Sequence, residues 1–515
     1  MALANFFDKA ALAASQILQG FDRRSFEQQL ESSIILVGFD SFAINSREGL
    51  ASLDMVIRLL GRLYPKMVIK ALDAEAQGYV PVVKGQLIAI NPHIELLSED
   101  ASPTIAVIIG NTSLTLDQPA AHVFYIGSSG WIAKLSSNRP LGSNSSNNPF
   151  GAGAAACLGA ANVFRAVFAS MLPDAELDGE INLSLVDYTI GEQLTTEYPE
   201  LPDIINFSET ILVGLGAVGN GFIWAVSKLT QLQGTLHLVE HDPIDLSNLQ
   251  RYVLTSQDDI DGSKVDLGIK FLNETGLTTI PHRGKWNAFL ANRQDWKLPR
   301  VAVAVDSAED RIAIQAAIPS KIVNAWTQAY DLGISRHNNF LEDACLACLY
   351  LPKEESLSES AIIAEALGLP EPEVRLMLVH QAVVDLTLAT RIATAKDQPL
   401  ENLMPLVGKP LRNFYQKTIC GGIILSSGNG EQNETPMAFQ SALAGIMLAG
   451  ELIQEDLGLR EKKLATSTRI NLLSSVGKYL NVPVQKQKDK RCLCNDKHYQ
   501  QAFKAKYNSE EVAIS

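Results

Sequence analysis

Between residues 211 and 309 the chain carries glycines, acids, an amide and two cations in an order that phosphate chemistry can use. Gly214, Gly216 and Gly219 spell G-x-G-x-x-G in the run ILVGLGAVGNGFIWAVSKL, which reads as apolar strand, turn and helix. The first glycine turns the chain, the second lets the backbone approach a phosphate, and the third lets helix and sheet pack closely. The N-terminus of the following helix attracts an anion. Glu240 ends the next apolar strand, 21 residues past Gly219, where an acid can accept hydrogen bonds from ribose hydroxyls. These features alone fit a nicotinamide-linked oxidoreductase as well as an ATP enzyme, and a purely structural glycine turn also accounts for them.

The next stretch of chain favours ATP. In HDPIDLSNLQRYVL, Asn248 and Arg251 stand just past the strand, and Lys264 comes 13 residues after the arginine. An amide and two cations suit a triphosphate, whose β and γ groups carry the charge that departs as pyrophosphate. Hydride transfer needs no such set. Each residue by itself reads as a solvated surface group, so the spacing of the set carries the argument.

The set resembles the nucleotide site of the ThiF/MoeB superfamily, to which the ubiquitin-activating enzymes belong. The family pattern appears here as Gly214/Gly216/Gly219, then Glu240 and Asp242, then Asn248/Arg251, then Lys264. The resemblance implies that Glu240 holds the ribose and that Asn248, Arg251 and Lys264 hold the phosphates of ATP. Three positions depart from the pattern. Glu240 replaces the usual Asp, Tyr252 replaces the Gln that commonly follows the arginine, and the magnesium-binding D-x-x-D-N reads DSAEDR. Mg2+ then falls to Asp306, Glu309 or both, since magnesium takes oxygen ligands and bridges phosphates. Family relatives also insert an arginine from a partner half into the triphosphate pocket. Arg23 and Arg24 are the candidates here, with ordinary surface charge as the alternative.

Six cysteines are too few for a disulfide scaffold in 515 residues, which points to a reducing, cytoplasmic setting. Cys345 and Cys348 form C-x-x-C, and Cys492 and Cys494 form C-x-C. Four thiolates can close a tetrahedral Zn2+ site, as two distant C-x-x-C pairs do in the family; four free thiols are the plainer alternative. Cys157 lies in an alanine-rich helix and reads as a small buried residue. Cys420 remains, ahead of a polar loop at 426–436 and the helical run MAFQSALAGIMLAGELIQED. In ubiquitin-activating relatives the catalytic cysteine occupies this region, and Lys417 nearby favours a thiolate; a buried core cysteine is the alternative.

The elements that must position these groups alternate strand and helix, which implies parallel sheets covered on both faces. SSIILVGFDSFAI near the N-terminus resembles SETILVGLGAVGN: Gly38 falls where Gly214 falls, and Asp40 and Ala43 replace Gly216 and Gly219. Without those glycines the backbone cannot approach a phosphate. An internal duplication with one dead site and two unrelated α/β domains both fit this single shared strand. The fold expected is α/β, with two Rossmann-like adenylation-type domains, the first degenerate and the second active, and a mainly helical catalytic-cysteine insertion. The expected boundaries are 1–200 for the degenerate domain and 201–352 for the first part of the active one. The cysteine segment spans 353–434, the remainder of the active domain with its zinc return 435–500, and a tail 501–515.

A net charge of −14 argues against a nucleic-acid partner. The N-terminal run lacks the pattern of a secretory signal, and the best candidate for a span, 151–172, is interrupted by Arg165, so no membrane partner is expected. With a degenerate first copy and no recognisable conjugating domain, the architecture resembles the stand-alone activating enzymes, BilD among them, of bacterial conjugation operons linked to phage defence. That resemblance implies a ubiquitin-like protein substrate, adenylated at its C-terminus, passed to Cys420 as a thioester and then to a conjugating-type enzyme. Two alternatives stand beside it: a sulfur-carrier-protein adenylyltransferase of the ThiF/MoeB kind, and an NAD-dependent oxidoreductase.

Overall fold

The computed structural model describes residues 3–116, 120–194, 198–351, 359–396, 398–420, 435–460, 462–477, 479–487 and 492–507. Runs of Val, Ile and Leu become the central strands of two sheets. In the first half the strands are β1 (Ile35–Phe39), β2 (Lys66–Ala71), β3 (Glu95–Leu97), β4 (Ile105–Ile109), β5 (His122–Ser129), β6 (Ile132–Ser136), β7 (Glu180–Ser184) and β8 (Ile190–Gly191). In the second they are β9 (Ile205–Val213), β10 (Leu232–Glu240), β11 (Thr278–Arg283), β12 (Arg300–Val303), β13 (Lys321–Thr327), β14 (Leu332–His337), β15 (Ser467–Ile470) and β16 (Leu480–Val482).

The first sheet runs β3-β2-β1-β4-β5-β6-β7-β8 and the second β11-β10-β9-β12-β13-β14-β15-β16, the same order. The strand senses agree as well. The five leading strands of each sheet pair in parallel, and the three that complete it pair antiparallel. Of the two readings open on one shared strand, this repeated topology selects duplication. Every residue of β1, β4 and β12 is buried, as expected of strands covered on both faces.

The helix between the sixth and seventh strands is also repeated: Phe150–Val167 in the first half, Ala438–Leu457 in the second. Both are rich in Ala and Gly and largely buried. Phe150–Val167 is the one described helix long and apolar enough to cross a membrane, but 94% of it is buried inside the fold. Its Arg165 is wholly buried and pairs with Asp178, which also accepts from the Val476 amide of the second half at 2.7 Å. Asp54 of the helix Arg47–Leu60 accepts from Trp224 Nε1 at 2.7 Å and pairs with Lys228 at 3.0 Å.

These halves form one compact unit, from which residues 8–16 and 352–435 separate as a second. The second unit is helical, with Glu359–Leu367, Glu371–Val379, Leu386–Ala395, Leu400–Leu403 and Leu411–Cys420 around a core that includes Leu367, Val374, Ile392, Leu403 and Phe414. Pro370 and Pro372 mark the break between Glu359–Leu367 and Glu371–Val379: Pro370 is the N-cap and Pro372 lies in the first turn of the second helix. Residues 501–507, expected to belong to a tail, lie in the helix Lys497–Tyr507, which docks through Tyr507, whose hydroxyl bonds the carbonyls of Leu298 (3.1 Å) and Ile318 (2.9 Å).

The degenerate copy fills its own anion hole. Asp40 caps the short helix Ser41–Ile44 as Gly216 caps Ala217–Ser227. Its carboxylate accepts from the amides of Ala43 (3.0 Å), Asn111 (2.7 Å) and Thr112 (2.8 Å) and from the Thr112 hydroxyl (2.7 Å). Gly110, at φ +122°, makes room: a Cβ there would fall 1.9 Å from Asp40 Oδ1. Asp40→Ala leaves these buried donors unmet and is expected to destabilise the first half by about 3 kcal/mol, read as a lowered denaturation midpoint, without creating nucleotide affinity in that half.

Candidate active site

In both sheets the order reverses beside the first strand, and crevices outside the carboxyl ends of strands at such a switch are where open α/β sheets bind ligands. In the second half that crevice is framed by the ends of β9, β10 and β12. Gly214 follows β9 at φ +93°, where a Cβ would fall 2.7 Å from the Ala304 carbonyl. Gly219 brings the helix against the turn, since a Cβ on it would meet Gly214 O at 2.4 Å. Glu240 closes β10 with its side chain tucked under the turn. Its Oε2 accepts from Leu215 N at 3.1 Å, and its Oε1 from His241 N at 2.7 Å and Asp242 N at 3.0 Å.

Beyond β10 the chain makes the 3-10 turn Leu246–Gln250. A capping box holds it: Asp245 accepts from Ser247 N at 2.8 Å, and Asn248 Oδ1 accepts from Asp245 N at 3.0 Å. With its oxygen engaged, Asn248 has its amide nitrogen left to donate. Lys264 opens the helix Lys264–Leu272, capped by Ser263. Its ammonium lies 3.5 Å from Asp242 and 3.9 Å from Glu240.

Tyr252 is the shared floor. The Arg251 guanidinium lies 5.6 Å and the Lys264 ammonium 5.5 Å from its ring centroid. Its hydroxyl stands 3.4 Å from where a Cβ of Gly216 would be, so the departure from the family Gln sits beside the glycine turn. Burial pulls the Lys264 pKa down, but Tyr252, Glu240 and Asp242 outweigh it and the pKa is raised, which keeps the ammonium charged. Arg251 differs. Burial lowers its pKa, only partly opposed by Tyr252 and Asp306, and its Nη1 is buried with no hydrogen-bond partner among the described residues.

Asp306 follows β12 and Glu309 lies in the first turn of Ala308–Ala316; both are exposed. Behind them Arg311 Nε donates to Asn324 at 3.0 Å, Asn324 to Ser335 at 3.1 Å, and Ser335 lies 3.0 Å from His337 Nε2. His337 Nδ1 stands 2.7 Å from the carbonyl of Ala344, and burial holds the ring neutral with a pKa of about 4. This buried chain runs from the carboxylate helix to the residue before Cys345.

There the thiols meet. Cys345, Cys348, Cys492 and Cys494 are all buried. Cys348 Sγ lies 3.4 Å from Cys492 and 3.6 Å from Cys494, and Cys345 Sγ lies 3.8 Å from Cys348 and 3.6 Å from Cys492. Zinc bound at about 2.3 Å to four sulfurs needs edges of about 3.8 Å, so the donor set fits a tetrahedral thiophilic metal. Cys420 ends the helix Leu411–Cys420, but its side chain, that of Lys417 and the loop 421–434 lie outside the described residues.

Residues 199–494 match the family model described as ThiF family. The chain belongs to the ThiF family. Its second half and helical unit thus carry a family identity, and the crevice described above lies within the matched residues. Residues 38–169 match a second model, Prokaryotic E2 family C. This corrects the expectation that no conjugating-type segment is recognisable, although the strand order of that half is that of the ThiF half. The sole cysteine within 38–169 is Cys157, wholly buried, and burial pushes its thiol pKa far up, away from the thiolate a thioester carrier needs. The chain is 44% identical to "Uncharacterized protein y4jF" of Sinorhizobium fredii (strain NBRC 101917 / NGR234), over 100% of this chain and 99% of that protein. Among solved structures it is similar to E. coli MccB with MccA-N7isoASN (TM-score 0.36, 12% identity, 56% of this chain and 67% of that one). E. coli MccB with ATP (0.34, 13%, 56% and 66%) and PaaA (0.31, 11%, 54% and 65%) are also similar.

Arg23 and Arg24 open the helix Arg23–Ser32, where Arg23 pairs with Glu27 at 2.9 Å and lies over Phe7. The described hydrogen bonds from the first half to the 246–255 loop come from Arg58 and Arg62: Arg58 donates to Val253 O at 2.9 Å, and Arg62 to Leu249 O at 3.1 Å and Thr255 O at 2.8 Å. Nothing in the sequence marks them, since their partners are backbone carbonyls almost 200 residues away.

Proposed function

We propose that this ThiF-family chain uses ATP to adenylate the C-terminal carboxylate of a ubiquitin-like protein, captures it as a thioester on Cys420, and passes it to a conjugating-type enzyme. The carrying observation is Arg251, a buried guanidinium with an unmet Nη1 that shares the Tyr252 ring with Lys264. Two cations brought together without a matching pair of buried carboxylates leave room for a polyanion. Glu240 receives the ribose hydroxyls, the Gly214–Gly219 turn admits the phosphates, and Asn248, Arg251 and Lys264 hold the β and γ groups. The substrate carboxylate attacks the α-phosphorus, the bond to the β-phosphate oxygen breaks, and the cations stabilise the pyrophosphate charge as it develops. Asp306 and Glu309 are oxygen donors of the kind Mg2+ takes, and the metal supplies further neutralisation of the phosphates. The Cys420 thiolate then attacks the acyl carbon and AMP leaves. Arg23 and Arg24 remain proposed contributors from the first half; the phage-defence setting is proposed on the family resemblance alone.

Zn2+ in the four-cysteine cluster ties the C-terminal segment to the helix Leu346–Tyr350 and contributes folding energy. Purified protein is expected to contain about one zinc per chain, measured by elemental analysis, and to lose it in Cys348→Ser. Arg251→Ala and Lys264→Ala are each expected to lower ATP–pyrophosphate exchange with a C-terminal-carboxylate protein by about 100-fold or more while the fold stays intact; full exchange in both overturns the nucleotide assignment. Cys420→Ala is expected to form the acyl-adenylate but no thiol-sensitive adduct on a non-reducing gel. If that variant still transfers the modifier, the nucleophile lies elsewhere and sulfur-carrier adenylation becomes the reading.

A further inference from the structure

Arg62 sits in the turn after the helix Arg47–Leu60 and is 2% exposed. Its guanidinium spans two carbonyls of the 246–255 loop, Leu249 O at 3.1 Å and Thr255 O at 2.8 Å, and its Nε is buried without a partner among the described residues. Arg58 beside it takes the carbonyl between them, Val253 O, at 2.9 Å. Burial and the neighbouring Arg58 draw the Arg62 pKa down to about 9, against the weaker pull of Asp259. A desolvated arginine beside a second arginine is a costly way to cement two domains, where an apolar residue serves better. What it supplies is geometry: a planar fork that fixes two carbonyls at once.

Those carbonyls bracket Arg251 and come after Asn248. Inside the loop the bonds are short-range, Arg251 N to Asn248 O at 3.1 Å, Tyr252 N to Asn248 O at 2.9 Å and Thr255 N to Tyr252 O at 3.1 Å. The Asp245–Asn248 capping box holds its start, and Asn220 of the glycine-turn helix accepts from Leu254 N at 3.2 Å; the remaining described long-range side-chain bonds to its backbone come from Arg58 and Arg62. Asp54, one turn before Arg58 on the same helix, anchors Trp224 and Lys228, so the first half grips both the glycine-turn helix and the phosphate loop.

We infer that Arg62 of the degenerate half is a positioning residue for the triphosphate: it holds the backbone that aims Asn248 and Arg251, while the ribose subsite at Glu240 does not depend on it. This inference rests on the nucleotide reading proposed for the crevice. It makes the first half, whose own anion hole is filled by Asp40, a brace for the site of the second. The mark of positioning is a split between ligands that reach the loop and ligands that do not.

The test is calorimetric binding of Mg·ATP and, separately, adenosine to full-length protein. Arg62→Met is expected to weaken ATP about tenfold and to leave adenosine within about twofold. Arg62→Lys, which keeps the charge but reaches one carbonyl, should fall between wild type and Met and provides the measurement if the Met variant fails to fold. An equal loss for ATP and adenosine, or ATP binding unchanged in the Lys variant, overturns the inference while leaving the nucleotide reading in place. Wild-type protein that binds no ATP overturns both.

Discussion

A site for a polyanion must hold cations in place without letting them satisfy one another's demands internally. Burying a guanidinium is expensive, and proteins usually offset the cost with a carboxylate. This chain does so away from the crevice: Arg336 is clasped by Glu451 at 2.5 Å and 2.8 Å, and Arg300 by Asp456 at 2.9 Å. At the crevice the rule changes. Arg251 rests on an aromatic ring, and the carboxylates near Lys264 stand at 3.5 Å and 3.9 Å and are themselves committed, Glu240 to three backbone amides. The loop bearing such residues cannot be held by its own charges, which is why it needs support from outside.

The duplicated architecture supplies it. Two copies of one sheet meet through repeated helices, and the first copy's turn is filled by its own side chain. The contrast is localised at the N-cap following the first strand. Gly216 leaves the helix terminus open, whereas Asp40 closes it with four hydrogen bonds, one from the Ala43 amide of its own helix and three from Asn111 and Thr112 after β4. A carboxylate there mimics a bound anion permanently, so the first half gains rigidity and loses a ligand. Rigidity is what a brace requires.

Legibility in the sequence tracks the range of each interaction. The glycine turn and the helix after it are local, so residue type and spacing declare them. The cysteine pairs are 144 to 149 residues apart, yet thiol chemistry makes their convergence readable from two short motifs. Arg58 and Arg62 stayed hidden because a side chain bonding a remote carbonyl constrains neither the partner's type nor its spacing. Tyr252 was visible only as a departure, and its place beneath two cations depends on the fold of the loop.

The place of the helical unit in the chain is set by the same duplication. In the first half the connection from β6 to Phe150–Val167 is short, residues 137–149. In the second half the equivalent connection, from β14 to Ala438–Leu457, contains the first cysteine pair and then residues 352–435. Loop-closure entropy grows only slowly with length, so a connection between fixed ends accepts a folded insertion at small cost. The insertion has its own apolar core, from Ile363 to Phe414, and so folds on its own contacts rather than on those of the sheets. Cys345 and Cys348 precede the insertion in the chain, while Cys492 and Cys494 come from beyond β16. A metal closing that cluster would clamp the chain where it leaves the sheet. From the helix that bears Glu309, Arg311, Asn324, Ser335 and His337 form a buried chain of contacts to Ala344, the residue before Cys345, so the helix at the crevice and the start of the connection share one buried network.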